Sequence, residues 1–395
     1  MREVAVLGIG QTQAGEHWDL SLRELAGEAV FAAMQDAAQQ NAAQQIPGMD
    51  SAEGLFVGNM MSGAANHQQH LGAYIADWVG LRQTEALRVE AACGSGSAAF
   101  RAALMAVASG AMETALVVGV EKMTDSPGPE ITAQLATAAD ADWELDMGLS
   151  FVALNALIMR RYMHEYGWKH EDFAPFSINA HANAIHNPFA RFHEPLSEAG
   201  YKKAPMVADP INLMDASPMA DGAAAALLVP VEMLRGSGRP VIRVAASAAA
   251  TDTIAVHHRK DPIWLSAAEK SAGDAYRQAG VQPGDIDVFE VHDAFSIMAA
   301  LSLEACGFAG RGQGPRLAIE GEIRPTGRIP IATRGGLKAR GHPVGATGMY
   351  QIVEVVQQLR GEAGETQVDG ARVGMAQNIG GSGSNILTHI LKREA

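Results

Sequence analysis

A repeated order of signals limits what this chain can fold into. Strand-like residues 4–9 precede a helix that opens with Ser21-Leu22-Arg23-Glu24, and a strand at Gly54–Gly58 follows. In the second half, strand-like residues 241–246 precede a helix that opens with Ser266-Ala267-Ala268-Glu269 and stops near Gly280. A strand over residues 286–291 follows. Ser-x-x-Glu predicts a capping box, in which the serine oxygen and the glutamate carboxylate satisfy exposed N–H groups reciprocally. In the first helix Leu22, Leu25, Ala26, Ala29, Val30 and Ala33 make one apolar stripe at helical spacing. The unbroken apolar runs 115–118 and 223–229 predict strands buried on both faces. Two copies of one strand–helix–strand order predict an α/β fold built by duplication.

From about Thr124 to Leu213 the order breaks down. This stretch holds Trp168, Phe173, Phe176 and a histidine-rich run over residues 181–188. It reads as an insertion of helices and loops over one face, either a lid or an oligomer contact. With 48 % hydrophobic and 19 % charged residues in 395, the chain can bury this much structure. A formal charge of −14 argues against nucleic acid as a ligand. It still permits an anionic small molecule held by a local cation or a helix N-terminus. No stretch is long and apolar enough to span a bilayer, and the first residues lack the pattern of a secretory signal. With two cysteines, Cys93 and Cys306, a disulfide framework is not expected, and the cytoplasm is the expected compartment.

Cys93 lies where a strand end, a tight turn and a helix start meet, in Glu90-Ala91-Ala92-Cys93-Gly94-Ser95-Gly96. The helix then runs through Ala102, Ala103, Ala106 and Val107 to Gly110, and its apolar surface predicts burial. A cysteine at the positive end of such a helix is favoured as thiolate, the nucleophilic form. A buried structural cysteine is the other reading of the same residues. Cys306, ending an apolar helix, reads as packing.

His292 and His342 sit at comparable strand-to-loop junctions in the second half. His292 begins His292-Asp293-Ala294-Phe295 after an apolar strand, and His342 sits in a glycine-rich loop ahead of an apolar helix. Pro343 fixes the backbone beside the second imidazole. A neutral imidazole can take a thiol proton and return it, and a second can donate to an oxygen that gains negative charge. Alternatively, two of 13 histidines merely hydrogen-bond in loops.

Together these segments resemble the thiolase superfamily, in the branch of sterol-carrier-type thiolases and archaeal acetoacetyl-CoA thiolases. The resemblance runs over nearly the whole chain. It is carried by Cys93-Gly94-Ser95, by His292-Asp293-Ala294-Phe295 where other thiolases read Asn-Glu-Ala-Phe, and by Gly341-His342-Pro343. Ser217-Pro218-Met219-Ala220-Asp221-Gly222-Ala223 and Asn187-Pro188-Phe189-Ala190 add to it. It implies two five-stranded αβαβα halves, a buried central helix layer and an inserted loop domain. The implied division is a first half over 1–123 completed by 214–235, an insertion over 124–213, and a second half over 236–395.

The resemblance further implies that Cys93 is acylated, that His342 activates it, and that His292 helps form an oxyanion hole with a water. Backbone N–H groups of Cys93 and of the Gly380-Gly381 turn would form a second hole, and Ser247 would contact the adenine end of coenzyme A. Coenzyme A thioesters are the implied substrates, with no resident cofactor or metal. A homodimer or tetramer is implied, and archaeal relatives work with a small zinc-ribbon and OB-fold partner protein. One departure stands out. The second, acid/base cysteine of other thiolases is absent both from residues 377–383 and from position 294, where alanine stands. The expected activity is therefore an acyl-CoA acyltransferase making or cleaving a 3-ketoacyl-CoA, with a histidine as α-proton base. An aldolase or polyketide-type acyltransferase on the same fold, and a non-catalytic acyl-CoA or lipid-binding subunit, are the alternatives.

Overall fold

In the computed structural model of the protein, which describes residues 2–40, 52–234 and 239–394, the expected strands lengthen into eleven. They are β1 (Val4–Gln11), β2 (Gly54–Gly58), β3 (Glu85–Val89), β4 (Ala115–Glu121), β5 (Met206–Ala208) and β6 (Ile211–Asn212). β7 (Gly222–Pro230), β8 (Ile242–Thr251), β9 (Val288–Glu290), β10 (Val373–Gly380) and β11 (Asn385–Arg393) follow. Nine of them form one sheet in the order β3-β2-β4-β7-β1-β8-β11-β10-β9, while β5 and β6 make a separate ribbon. Within the sheet the halves join narrowly, β1 meeting β8 through Ala5↔Arg243 and Val6↔Ile242, while the helices Ser95–Ser109 and Thr347–Arg360 pack together beneath it. The boundary expected between residues 235 and 236 lies outside the described residues.

The first half supplies five strands, but the second supplies four, where five were implied. The place of the fifth is taken by an isolated bridge from Phe289 to Ile331. Pro330 precedes that bridge and has no N–H to give a ladder, so the segment accepts one bond from Phe289 N–H at 2.9 Å and pairs no further.

Side-chain alternation along the strands sorts the core into layers. Val4 and Val6 pack with the helices Ser95–Ser109 and Thr347–Arg360, while Ala5 and Leu7 pack with the helix Leu22–Gln40 on the opposite face. The helix Thr347–Arg360 is buried along nearly its whole length. The cysteine helix is buried less completely than its sequence predicts, because Met105 turns outward and is half-exposed. Gly8 and Gly10 let the outer helix approach β1 closely: a Cβ at either would come within 2.3 Å of a helix carbonyl oxygen.

The first capping box forms as expected. Ser21 N–H donates to Glu24 Oε2 at 2.8 Å, and Glu24 N–H donates to Ser21 Oγ at 3.4 Å. The second does not form. Helix Ser266–Ala279 is capped by Leu265, so Ser266 already lies in the first turn. The Glu269 carboxylate instead accepts from Trp264 Nε1 at 2.8 Å. Residues 124–213 add no strand to the main sheet; the helices Gly128–Ala136, Phe151–Tyr166, Ala174–Ala184 and Glu198–Lys203 and the β5–β6 ribbon lie there. Among the described residues no helix is long and apolar enough to cross a membrane.

Candidate active site

The turn that carries Cys93 is held by its neighbours' hydrogen bonds. Ala92 adopts a left-handed φ of 52°, uncommon for a residue with a Cβ. Ser95 Oγ accepts from Ala91 N–H at 3.0 Å and donates to the Ala92 carbonyl at 2.6 Å, and Ala92 N–H donates to Glu90 Oε1 at 2.6 Å. Cys93 is thereby held two residues ahead of the helix Ser95–Ser109 and lines a cavity of about 360 Å³. Its own N–H and that of Gly381 both act on the sulfur. The structure corrects one expectation here. Burial, with the Glu121 carboxylate second, pushes the thiol up to about 12 and outweighs the two N–H donors. The resting sulfur is a thiol, and a base must take its proton.

His292 and His342 line the same cavity, with ring centroids 5.1 Å apart and planes at 87°. Their hydrogen bonds set opposite tautomers. Thr347 Oγ1 donates to the Pro343 carbonyl at 3.2 Å, so the 2.7 Å contact to His342 Nδ1 is a bond donated by the ring. His342 Nε2 is left as a lone pair. At His292 the Asn378 amide donates to Nδ1 at 3.0 Å, which leaves an N–H on Nε2. Burial holds both rings in the neutral form. It takes His292 down to about 3, with Arg340 adding to the effect, and it takes His342 well below the ordinary range, with His292 and Arg340 contributing.

Segment 217–223 ties the two histidine loops together: Ser217 N–H donates to the Ala294 carbonyl at 2.8 Å, and Met219 bridges to His342. Asp221 anchors that segment by accepting from Met123 N–H at 2.6 Å and from Thr124 Oγ1 at 2.7 Å. Much of the remaining wall is apolar and comes from the insertion, including Leu135, Phe151, Val152, Val207 and Leu213.

Other expected site residues lie elsewhere. Ser247 does not line the cavity; it is buried in β8, and its hydroxyl accepts from the Arg101 guanidinium at 3.0 Å. Of the glycine pair, Gly381 lines the cavity and Gly380 does not, because Gly380 closes β10 against the Ala91 carbonyl. Cys306 is buried and accepts from Gln377 Nε2 at 2.9 Å, which accords with a packing role. Asn378, Thr347 and Glu121 were not singled out from sequence. The one usable signal was Glu121, a lone acid ending the apolar run 115–120. Among the described residues no group of three or more His, Cys, Asp or Glu side chains could hold a metal ion.

A duplicated α/β fold with a cysteine turn from one half facing two histidine loops from the other defines a thiolase-type fold and site. Residues 4–232 match the family model for the thiolase N-terminal domain, and residues 248–393 match the thiolase C-terminal domain-like model. The chain belongs to the thiolase family. It is 45 % identical to an acetyl-CoA acetyltransferase of Methanothermobacter thermautotrophicus, with all of both chains covered. It is 30 % identical to human sterol carrier protein 2, covering 98 % of this chain and 72 % of that protein. It is 30 % identical to the benzoylsuccinyl-CoA thiolase subunit BbsB of Thauera aromatica, covering 96 % and 95 %. A solved structure described as the Ltp2-ChsH2(DUF35) aldolase superposes with a TM-score of 0.84 at 25 % identity, over 99 % of this chain and 98 % of that one.

Proposed function

We propose that the protein is an acyl-CoA acyltransferase of the thiolase type, carrying its acyl group on Cys93 and making or cleaving a 3-ketoacyl-CoA. The observation that carries this is the pairing of a buried thiol with two neutral histidines of opposite tautomer in one cavity. His342 Nε2 takes the Cys93 proton as the sulfur attacks the thioester carbonyl, and the coenzyme A thiolate leaves with that proton. The carbonyl oxygen gains negative charge beside the N–H groups of Cys93 and Gly381.

For the carbon–carbon step His342 Nε2, now unprotonated again, removes the α-proton of the second thioester, and His292 Nε2–H stabilises the enolate oxygen. The enolate carbon attacks the acyl carbonyl, the Cys93 sulfur departs, and it recovers its proton from His342. This assigns to a histidine the role for which other family members use a second cysteine. Coenzyme A thioesters are substrates in this scheme, and no resident cofactor takes part.

Three further readings accompany it. Among the described residues β3 pairs only with β2, and it carries a half-exposed Leu87, an open edge suited to a second copy of the chain and so to a homo-oligomer. Val207, Leu213 and Met219 line the cavity yet stand partly exposed, an apolar rim suited to a small partner protein. The DUF35 component named for the solved aldolase is the model for such a partner. Free, unpaired Cys93 and Cys306 suit the reducing cytoplasm. The test is thiolysis of acetoacetyl-CoA and longer 3-ketoacyl-CoAs by coenzyme A, with and without a DUF35-type partner. Turnover that is lost in C93A and H342A is expected; no turnover of any substrate under either condition refutes the proposal.

A further inference from the structure

One buried carboxyl group beside Cys93 takes no part in the chemistry above. Glu121 ends β4 and is fully buried. Its Oε1 accepts from Asn59 Nδ2 at 2.8 Å and Met61 N–H at 3.0 Å, and its Oε2 accepts from Met60 N–H at 2.9 Å and Gly345 N–H at 3.0 Å. All four donors are neutral, whereas a carboxylate stripped of water normally meets a cation. Arg88 is near enough to attract it, but that guanidinium is engaged by the carbonyls of Asn59 and Met60.

The donors bracket the reacting groups. Met61 packs with Cys93, Met123 and Val344 in one cluster. Gly345 lies three residues beyond His342, and a Cβ there would come within 2.5 Å of Glu121 Oε2. The carboxyl group thus ties the loop after β2, in the first half, to the loop that carries His342, in the second.

We propose that Glu121 is a positioning residue that fixes the approach of the His342 loop to Cys93 and sets a carboxylate beside that sulfur. This rests on the reading of Cys93 as the acylated residue. The charged and titratable groups at this site are Arg88 near the end of β3, which acts on Glu121, and Cys93 with Glu90 on the turn, while His342 lies three residues before Gly345. Burial pushes Glu121 up to about 7, so its charge develops around neutral pH. That charge raises the Cys93 thiol further, on top of the burial that already holds it protonated.

The test measures the pH dependence of Cys93 alkylation by iodoacetamide, and kcat/KM, on the full chain. In E121Q the charge is gone and an NH2 group faces N–H donors. The alkylation midpoint should fall by about one pH unit, and kcat/KM should fall roughly tenfold or more. E121D keeps the charge but shortens the reach, and G345A crowds Oε2; both should lose kcat/KM with the midpoint near that of the unaltered protein. A folded E121Q with an unmoved midpoint overturns the proposal even if kcat/KM falls, since a merely structural residue would behave that way. If E121Q does not fold, unchanged kcat/KM in E121D and G345A overturns it. Acyl-adduct formation on Cys93 of the unaltered protein is the control. Its absence refutes the acyltransferase reading, whereas a normal adduct with an unmoved midpoint refutes only the role of Glu121.

Discussion

Replacing Thr347 with valine should disable His342 while leaving the fold in place. Thr347 is fully buried, and its hydroxyl holds His342 Nδ1 at 2.7 Å while bonding back to the Pro343 carbonyl at 3.2 Å. Valine keeps the shape and removes the acceptor. The reactive tautomer, with its lone pair on Nε2, then leaves the Nδ1–H buried and unpaired. An unsatisfied buried donor costs about 1–3 kcal/mol. If that cost falls on the reactive tautomer alone, kcat/KM drops roughly 5- to 150-fold. Steady-state thiolysis gives the ratio, and a thermal melt shows whether the variant is folded. T347S retains the hydroxyl and should recover most of the rate. A folded T347V within twofold of the unaltered protein would refute the assignment of the His342 tautomer.

Three other outcomes follow from the same site. In N378D the new carboxylate would accept from His292 Nδ1–H, stripping Nε2 of its proton; kcat should fall about 100-fold while the acyl adduct on Cys93 still forms, and loss of the adduct would contradict this. Burial, with Glu354 second, pushes Glu290 up to about 8 from its ordinary 4.5, so the folded protein holds that proton and loses this stability as pH rises through about 8. E290Q should therefore gain in Tm relative to the unaltered protein at pH ~9 more than at pH ~6, and a pH-independent difference would be inconsistent with a buried titrating acid. The Arg340–Glu354 pair, 2.7 Å apart and fully buried, should cost about 3–5 kcal/mol in urea unfolding when broken by E354A, while R340M/E354L should recover most of that; a double variant as unstable as the single one counts against this view of the pair.

The parts of this molecule that were legible in sequence are those set by local pattern. The stripe Leu22, Leu25, Ala26, Ala29, Val30 and Ala33 is buried throughout, and Gly54–Gly58 is a strand with the expected limits. Cys93, His292 and His342 stand in short blocks whose backbone needs are local, and they line one cavity. What sequence did not reveal depends on partners far along the chain. Glu121 matters through Gly345, and Asn378 through His292, and neither contact leaves a periodic trace. Ser266-x-x-Glu269 misled because a local motif cannot show that the N-cap falls one residue earlier, at Leu265, or that Trp264 takes the carboxylate. The thiolate expectation failed for a related reason. A helix N-terminus is visible in sequence, but the desolvation that raises the Cys93 thiol comes from packing of both halves.

The central claim is that Cys93 carries the acyl group. The direct measurement is intact and peptide mass spectrometry of the purified protein after exposure to acetyl-CoA and longer acyl-CoAs, with C93A alongside. One acyl increment on the Cys93 peptide, with coenzyme A released and no increment in C93A, is the predicted result. An unmodified Cys93 in the folded protein with every thioester, or an adduct that persists in C93A, would contradict it.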